Sequence, residues 1–175
     1  MVLAVSVVAT LPACSATEDQ NADRAGGERA GAASPAPQPA VPPAPTPAAW
    51  GQRHTWGDGL AVQLGTPAVC VPSRAAFPAD IERAVKVPVL VVNDTAAPVD
   101  TVLLVVNDLQ FNGAAAQLVT DIDGPCGNGV ASTRVLPGTT VTTSVAVAVA
   151  AAPGELRLSY GPPTGHDKAL FAGPA

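Results

Sequence analysis

Two apolar segments, residues 85–92 and 99–106, flank the polar break Asn93-Asp94-Thr95-Ala96-Ala97-Pro98. Valine and leucine crowd both segments, each is about as long as an average strand, and turn formers lie between them. The pattern predicts two neighbouring β-strands. In the first, Val85, Val87, Val89 and Val91 share one face while Lys86 and Pro88 share the other, which turns the valines inward. Pro88 has no N–H to give to a ladder, so it is expected at a sheet edge or a bulge. The second segment is apolar on both faces, as in a central strand or one covered by a loop.

Similar alternation continues on either side. Leu60, Val62 and Leu64 mark a strand near the start of the apolar half of the chain. Residues 67–82 contain Pro67, Pro72 and Pro78 without a sustained period, which predicts a long loop holding Cys70, with a short helical turn at 79–83. Residues 107–113 and 117–122 read as two weaker strands joined through Asn112-Gly113, a dipeptide suited to a tight hairpin. A glycine-rich loop, 123–129, then carries Cys126, and Leu136-Pro137-Gly138 turns the chain into a long strand, 139–149. On one face of that strand lie Val141, Thr143, Val145, Val147 and Val149. After Pro153-Gly154, Leu156, Leu158 and Tyr160 alternate once more. With about seven short strands, frequent turns and no amphipathic helix, the fold class is all-β. A folded part of about 120 residues favours an immunoglobulin-like antiparallel sandwich.

Ahead of this domain the composition changes. Seven prolines fall between Pro35 and Pro47, in a stretch whose one large apolar residue is Val41. Such a segment has too little apolar surface for a core and reads as an extended spacer. Nearer the N-terminus, residues 2–13 form an uncharged, mostly apolar run that is too short to span a bilayer but fits the hydrophobic part of a secretory signal. Leu11-Pro12-Ala13-Cys14 then resembles a bacterial lipobox, in which the cysteine is lipidated and becomes the mature N-terminus. Pro12 is not the commonest residue at its position and no Lys or Arg precedes the run; a start upstream of Met1 would supply the missing basic region. The expected organisation is a signal peptide over 1–13, a lipid-attachment Cys14 with a disordered Pro-rich linker over 14–50, and the sandwich over 51–175. A cleaved soluble form and an uncleaved apolar stub are the alternatives. A proline-rich ligand for an aromatic groove is a further reading of the spacer.

Export changes the reading of the other cysteines. Cys70 and Cys126 would form a pair in an oxidising compartment, where a disulfide is the default. A metal site competes with it but needs further ligands, and the only histidines are His54 and His166.

Charge narrows the partners. The net charge is −5, and from Thr55 onward ten acids stand against six bases, so there is no basic face for nucleic acid. No Gly-x-Ser-x-Gly elbow is present and both histidines sit near the ends of the domain, so the chain is expected to be no enzyme and to need no cofactor or metal. Asp108, Asp121 and Asp123 have the wrong spacing for a calcium loop and read as solvated loop and strand ends. His54 with Trp56 could make a small binding patch, and His166-Asp167 a pH-sensitive pair. Trp56 reads rather as a core anchor, the histidines as surface residues, and Leu170-Phe171 as packing against the domain edge.

The order of Trp56-Gly-Asp-Gly-Leu-Ala-Val62, Val87-Pro-Val-Leu-Val-Val-Asn93, Asp94-Thr-Ala-Ala-Pro-Val99 and Val135-Leu-Pro-Gly-Thr-Thr-Val141 resembles an actinobacterial family. Its members are secreted or lipid-anchored proteins with an immunoglobulin-like domain of unknown function, related in fold to mycobacterial immunoprotective extracellular antigens. The resemblance runs from Thr55 to about Gly173 and implies no catalytic residues. Two functions remain: a lipid-anchored binding module for a protein or envelope component on the extracytoplasmic face of the cell membrane, and a structural or accessory envelope protein with no specific ligand. A concave apolar pocket favours the first and a smooth polar surface the second.

Overall fold

Four valines at every second position fix the centre of the structure. The computed structural model describes residues 45–127 and 133–175, so the expected signal peptide, Cys14 and most of the linker lie outside the described residues. In chain order it contains β1 (Arg53–Thr55), β2 (Leu60–Leu64), β3 (Ala68–Cys70), β4 (Arg83–Asn93), β5 (Val99–Asp100), a single 3-10 turn (Thr101–Leu103) and β6 (Val105–Phe111). Then come β7 (Ala114–Ala115), β8 (Gln117–Val119), β9 (Arg134–Val135), β10 (Thr139–Val149), β11 (Glu155–Gly161) and β12 (Ala169–Pro174). β2, β4, β10 and β11 coincide with expected strands and β6 begins two residues before the expected one, while the added elements are pieces of two to three residues and the six-residue β12, which was not expected.

One sheet has the order β1-β2-β4-β10-β8 with β3 also paired to β4, a second has the order β12-β11-β6-β7, and β5 and β9 pair in a two-stranded ladder of their own. The named strand pairs are antiparallel throughout, and the arrangement is the expected all-β, immunoglobulin-like sandwich. Val85, Val87, Val89 and Val91 of β4 are at most 1% exposed and face the second sheet, in a core shared with Leu156, Leu158, Tyr160 and Phe171. Trp56 is buried in the same core and its Nε1 donates to the Asp167 carbonyl at 2.7 Å.

Pro88 does not lie at a sheet edge; of the two expected settings it takes the bulge, because between β2 and β3 three residues, 65–67, stand opposite Val87 and Pro88. It pairs with Ser144 of β10 on one side of β4, within a continuous register of eleven residue pairs. On the other side β2 ends opposite Val89 and β3 begins opposite Lys86. The Pro88 carbonyl accepts from Gly65 N–H at 2.8 Å on that side. Within a strand the N and the C=O of one residue point the same way, so the missing N–H faces the gap between two successive partners and breaks no ladder bond.

The two apolar segments flanking residues 93–98 are not neighbours. Residues 99–106 divide into β5, the 3-10 turn and the start of β6, because the Asp100 carboxylate accepts from Val102 N–H at 3.2 Å and Leu104 N–H donates to the Thr101 carbonyl at 3.0 Å. That turn carries the chain from the β5–β9 ladder to the sheet of β6. The segment was apolar on both faces because two half-elements met in it. The helical turn expected at 79–83 is absent too: residues 79–82 bend, with Asp80 at φ 59°, and β4 starts at Arg83.

Asn112 and Gly113 sit at φ 50° and 78°, and Phe111 pairs with Ala114 across them, which is the predicted two-residue hairpin. The strand expected after it is shorter, ending at Val119, and pairs with β10 in the other sheet. Leu170-Phe171, expected to pack against the domain edge, lies on the edge strand β12, with Phe171 turned into the inter-sheet core. Phe171 is fully buried, because the residues just before β1 cover its strand: Ala48 bridges Phe171, and Trp50 Nε1 donates to the Pro174 carbonyl at 3.0 Å.

Candidate functional site

The outer face of β4 and β10 would be open to water if the chain held only the sandwich. Lys86, Pro88, Ser144 and Ala146 alternate outward there, opposite in phase to the valines. Two loops close part of that face, residues 71–82 and residues 120–127. Beneath them a second, smaller core forms from Ala84, Val119, Cys126 and Ala146, with Cys70 and Ile81 packed against it.

Three sets of bonds hold this cap together. Cys70, at the end of β3, and Cys126 form a disulfide with Cα atoms 5.4 Å apart. Phe77 and Thr120 exchange two backbone hydrogen bonds of 2.8 Å. Asp121, 2% exposed, accepts from Ser73 N–H at 3.2 Å, from the Ser73 hydroxyl, and from Cys126 N–H at 3.1 Å. The Ser73 hydroxyl is the main reason that the Asp121 carboxyl is held below the usual carboxylate range; desolvation opposes it, and the backbone donors and Lys86 add to it.

A folded value below the unfolded one means that the unfolded chain binds more protons in the window between them. Asp121 therefore contributes stability that is complete above about pH 4 and is lost as the pH falls through its lowered folded value. Urea midpoints measured from neutral pH to pH 2 should fall less steeply below pH 4 in Asp121→Asn than in the parent chain. Parallel curves would mean that the carboxylate gains nothing from Ser73 and Cys126.

Asp108, Asp121 and Asp123, read from the sequence as solvated loop and strand ends, do not converge, and Asp121 is buried rather than solvated because its carboxylate is taken up by Ser73 and Cys126. Asp121 is turned into the cap, while Asp108, on β6, accepts from the Ser159 hydroxyl at 2.8 Å. Among the described residues no group of three His, Cys, Asp or Glu is placed to hold a metal.

His54, Trp56 and His166, two separate suggestions in the sequence, meet in one cluster. The His54 and His166 ring centres lie 4.8 and 5.5 Å from that of Trp56, both edge-on. His166 pairs through Nε2 with Asp58 at 2.9 Å, not with its neighbour Asp167, whose carbonyl is taken by Trp56. Asp58 is held below the usual carboxylate range, first by the Leu60 N–H and then by His166. The cluster joins the β1–β2 turn to the β11–β12 loop, and because Trp56 is buried its ring is packing rather than a platform for a ligand.

Open space gathers around the cap. Cavities of about 540, 430, 680 and 450 Å³ all border residues 68–83. The largest is a trough floored by Lys86, Pro88 and Thr142 and walled by Val69, Val71 and Pro125. Val69, Val71, Phe77, Leu118 and Ile122 stand exposed on the cap and its borders. Sequence reasoning placed both cysteines in loops but did not single out this surface. The one available signal was the pair Val69 and Val71 inside a proline-bounded loop, apolar residues with no strand long enough to bury them.

No family model and no curated protein matches the sequence. Among solved structures, a candidate lipoprotein from Bacillus subtilis (ycdA) superposes with a TM-score of 0.52 at 16% identity, over 67% of this chain and 36% of its own. The likeness is one of fold. The chain spans about a third of that neighbour's length. A FixG-related protein from Vibrio parahaemolyticus gives a TM-score of 0.39 at 9% identity, over 66% of this chain and 93% of its own. Among the described residues no helix is long and apolar enough to cross a membrane.

Proposed function

We propose that this chain is a cell-envelope lipoprotein, held by Cys14 to the extracytoplasmic face of a membrane, whose sandwich is a non-catalytic binding module. The anchor is supported by the apolar run 2–13 ending at Leu11-Pro12-Ala13-Cys14, by the Pro-rich segment behind it, and by the description of the fold neighbour ycdA as a candidate lipoprotein. The resemblance to actinobacterial secreted and lipid-anchored immunoglobulin-like proteins belongs to the same reading.

The observation that carries binding over passive spacing is the trough beside the cap. It measures about 680 Å³, within the usual range for ligand sites, and its walls are mostly apolar. A disulfide and a buried carboxylate hold one side of it in place, so little order has to be gained when an occupant enters. A spacer with no ligand has no use for such a surface.

Intact mass of the chain recovered from membranes tests the anchor. The expected species begins at Cys14, carries a diacylglyceryl group and lacks two hydrogens that reduction restores; a chain beginning at Met1 with free thiols overturns the reading. Binding is tested with an apolar fluorescent dye, which should fill the trough in the native chain and be lost in Val71→Asp. A native chain that leaves the dye dark removes the trough as a ligand site.

A further inference from the structure

The cap carries more apolar surface than the trough needs. Phe77 is 74% exposed and Ile122 85%, and neither lines the trough. They come from different loops, yet the loops are tied to each other: Phe77 bonds Thr120 through the backbone in both directions, and Asp121, next to Ile122, holds Ser73. Val71, 73% exposed, stands two residues from Ser73 on the same framework. Three large apolar side chains are thus fixed on a braced protrusion, where exposure to water is unfavourable and docking requires little further ordering.

We propose that this protrusion docks on a lipid bilayer, with Phe77, Ile122 and Val71 entering the interfacial zone. The inference rests on the anchor reading for its strength. Residues 14–44 number thirty-one, so a domain tethered through them stays within about 100 Å of the membrane. The three side chains bind a bilayer on their own when lipid is in excess, and at the effective concentration that such a tether sets the same contact orients the domain.

Charge defines which bilayer. Segments 68–83 and 118–127 hold Arg74 and Arg83 against Asp80, Glu82, Asp121 and Asp123, with Asp123 exposed beside Ile122. The contact is therefore apolar rather than electrostatic. It forms on zwitterionic lipid, withstands salt and is weakened by anionic lipid. Docked in this way, the domain holds its trough close to the membrane surface.

The test uses the mature chain from residue 14 with Cys14→Ser, so that neither a lipid nor the apolar run 2–13 contributes, floated with vesicles of pure phosphatidylcholine. The parent chain should float with the vesicles at low and high salt. Phe77→Asp/Ile122→Asp should reduce the vesicle-bound fraction at least about tenfold, while Val102→Asp/Leu103→Asp, which alters exposed apolar residues on the 3-10 turn, should leave it unchanged. Thermal melts of each variant, with and without reductant, report whether the fold and the disulfide survive; because all four side chains are exposed, the melts should match the parent's. Two results overturn the proposal: a parent chain that stays behind on vesicles, which makes the cap a protein-docking surface, or binding that salt removes. Flotation does not depend on lipidation, so a failed anchor seen by intact mass and a failed docking surface are separate results.

Discussion

Replacing Cys70 and Cys126 by alanine should lower the thermal midpoint by roughly 10–15 °C without changing the strand content seen by far-UV circular dichroism. The disulfide spans 56 residues of sequence, and the loop-closure entropy it removes from the unfolded chain corresponds to about 4 kcal/mol. For a domain of this size each kcal/mol moves the midpoint by about 3–4 °C. The native side of the balance works in the same direction. Cys126 is fully buried in the small core over β4 and β10, and the loop that holds it is also attached through Asp121, the Phe77–Thr120 bonds, and hydrogen bonds from Lys86 to the Pro125 carbonyl and from Ser144 to the Gly127 carbonyl. Without the bridge the cap rests, among the described residues, on a small apolar core of Ala84, Val119, Ala146 and position 126 itself, while the main core between the sheets is untouched. Reduction of the parent chain should reproduce most of the shift, since it keeps the volume of both thiols. A shift below about 3 °C in both experiments would mean that the cap restricts the unfolded chain little, and that Asp121 and its donors are its main support.

The sequence made the inter-sheet core legible where side-chain period and burial agreed. Residues 83–93 and 139–149 alternate cleanly because one face meets the second sheet, and Asn112-Gly113 announces its hairpin because both residues tolerate left-handed backbone. Legibility ended where the fold is decided at a distance. Pro88 left an edge and a bulge both open because nothing local tells that β2 and β3 meet β4 one after the other and leave a gap opposite it. Residues 99–106 looked like one strand because the capping carboxylate of Asp100 gives the same composition signal as any turn acid. His166 was read with Asp167, its neighbour in sequence, whereas its partner Asp58 is 108 residues away. For the cap the reason is different again. Val71, Phe77 and Ile122 are the residue types of a core, and only the three-dimensional placement shows that they face water.

Phe171→Ala should cost about 3–5 kcal/mol, a large part of the stability of an ordinary domain, and Phe77→Ala should lie within about 0.5 kcal/mol of the parent. The two positions hold the same side chain in opposite surroundings. Phe171 is fully buried and lies opposite Leu158, itself fully buried, and Ala48 closes over the outer edge of its strand. Truncation there leaves a cavity between two sheets whose ladders resist collapse, so the lost transfer energy and the empty volume add. Phe77 has three quarters of its surface in water, and its loop is held by backbone bonds that alanine keeps. Urea unfolding of the mature chain measures both differences on one scale. Equal costs at the two positions would mean that Phe77 is covered in solution, and the cap could then no longer present it to a membrane. A neutral Phe77→Ala, beside a severe Phe171→Ala, leaves the exposed ring without a role in stability, and its role must then be sought in what the surface touches.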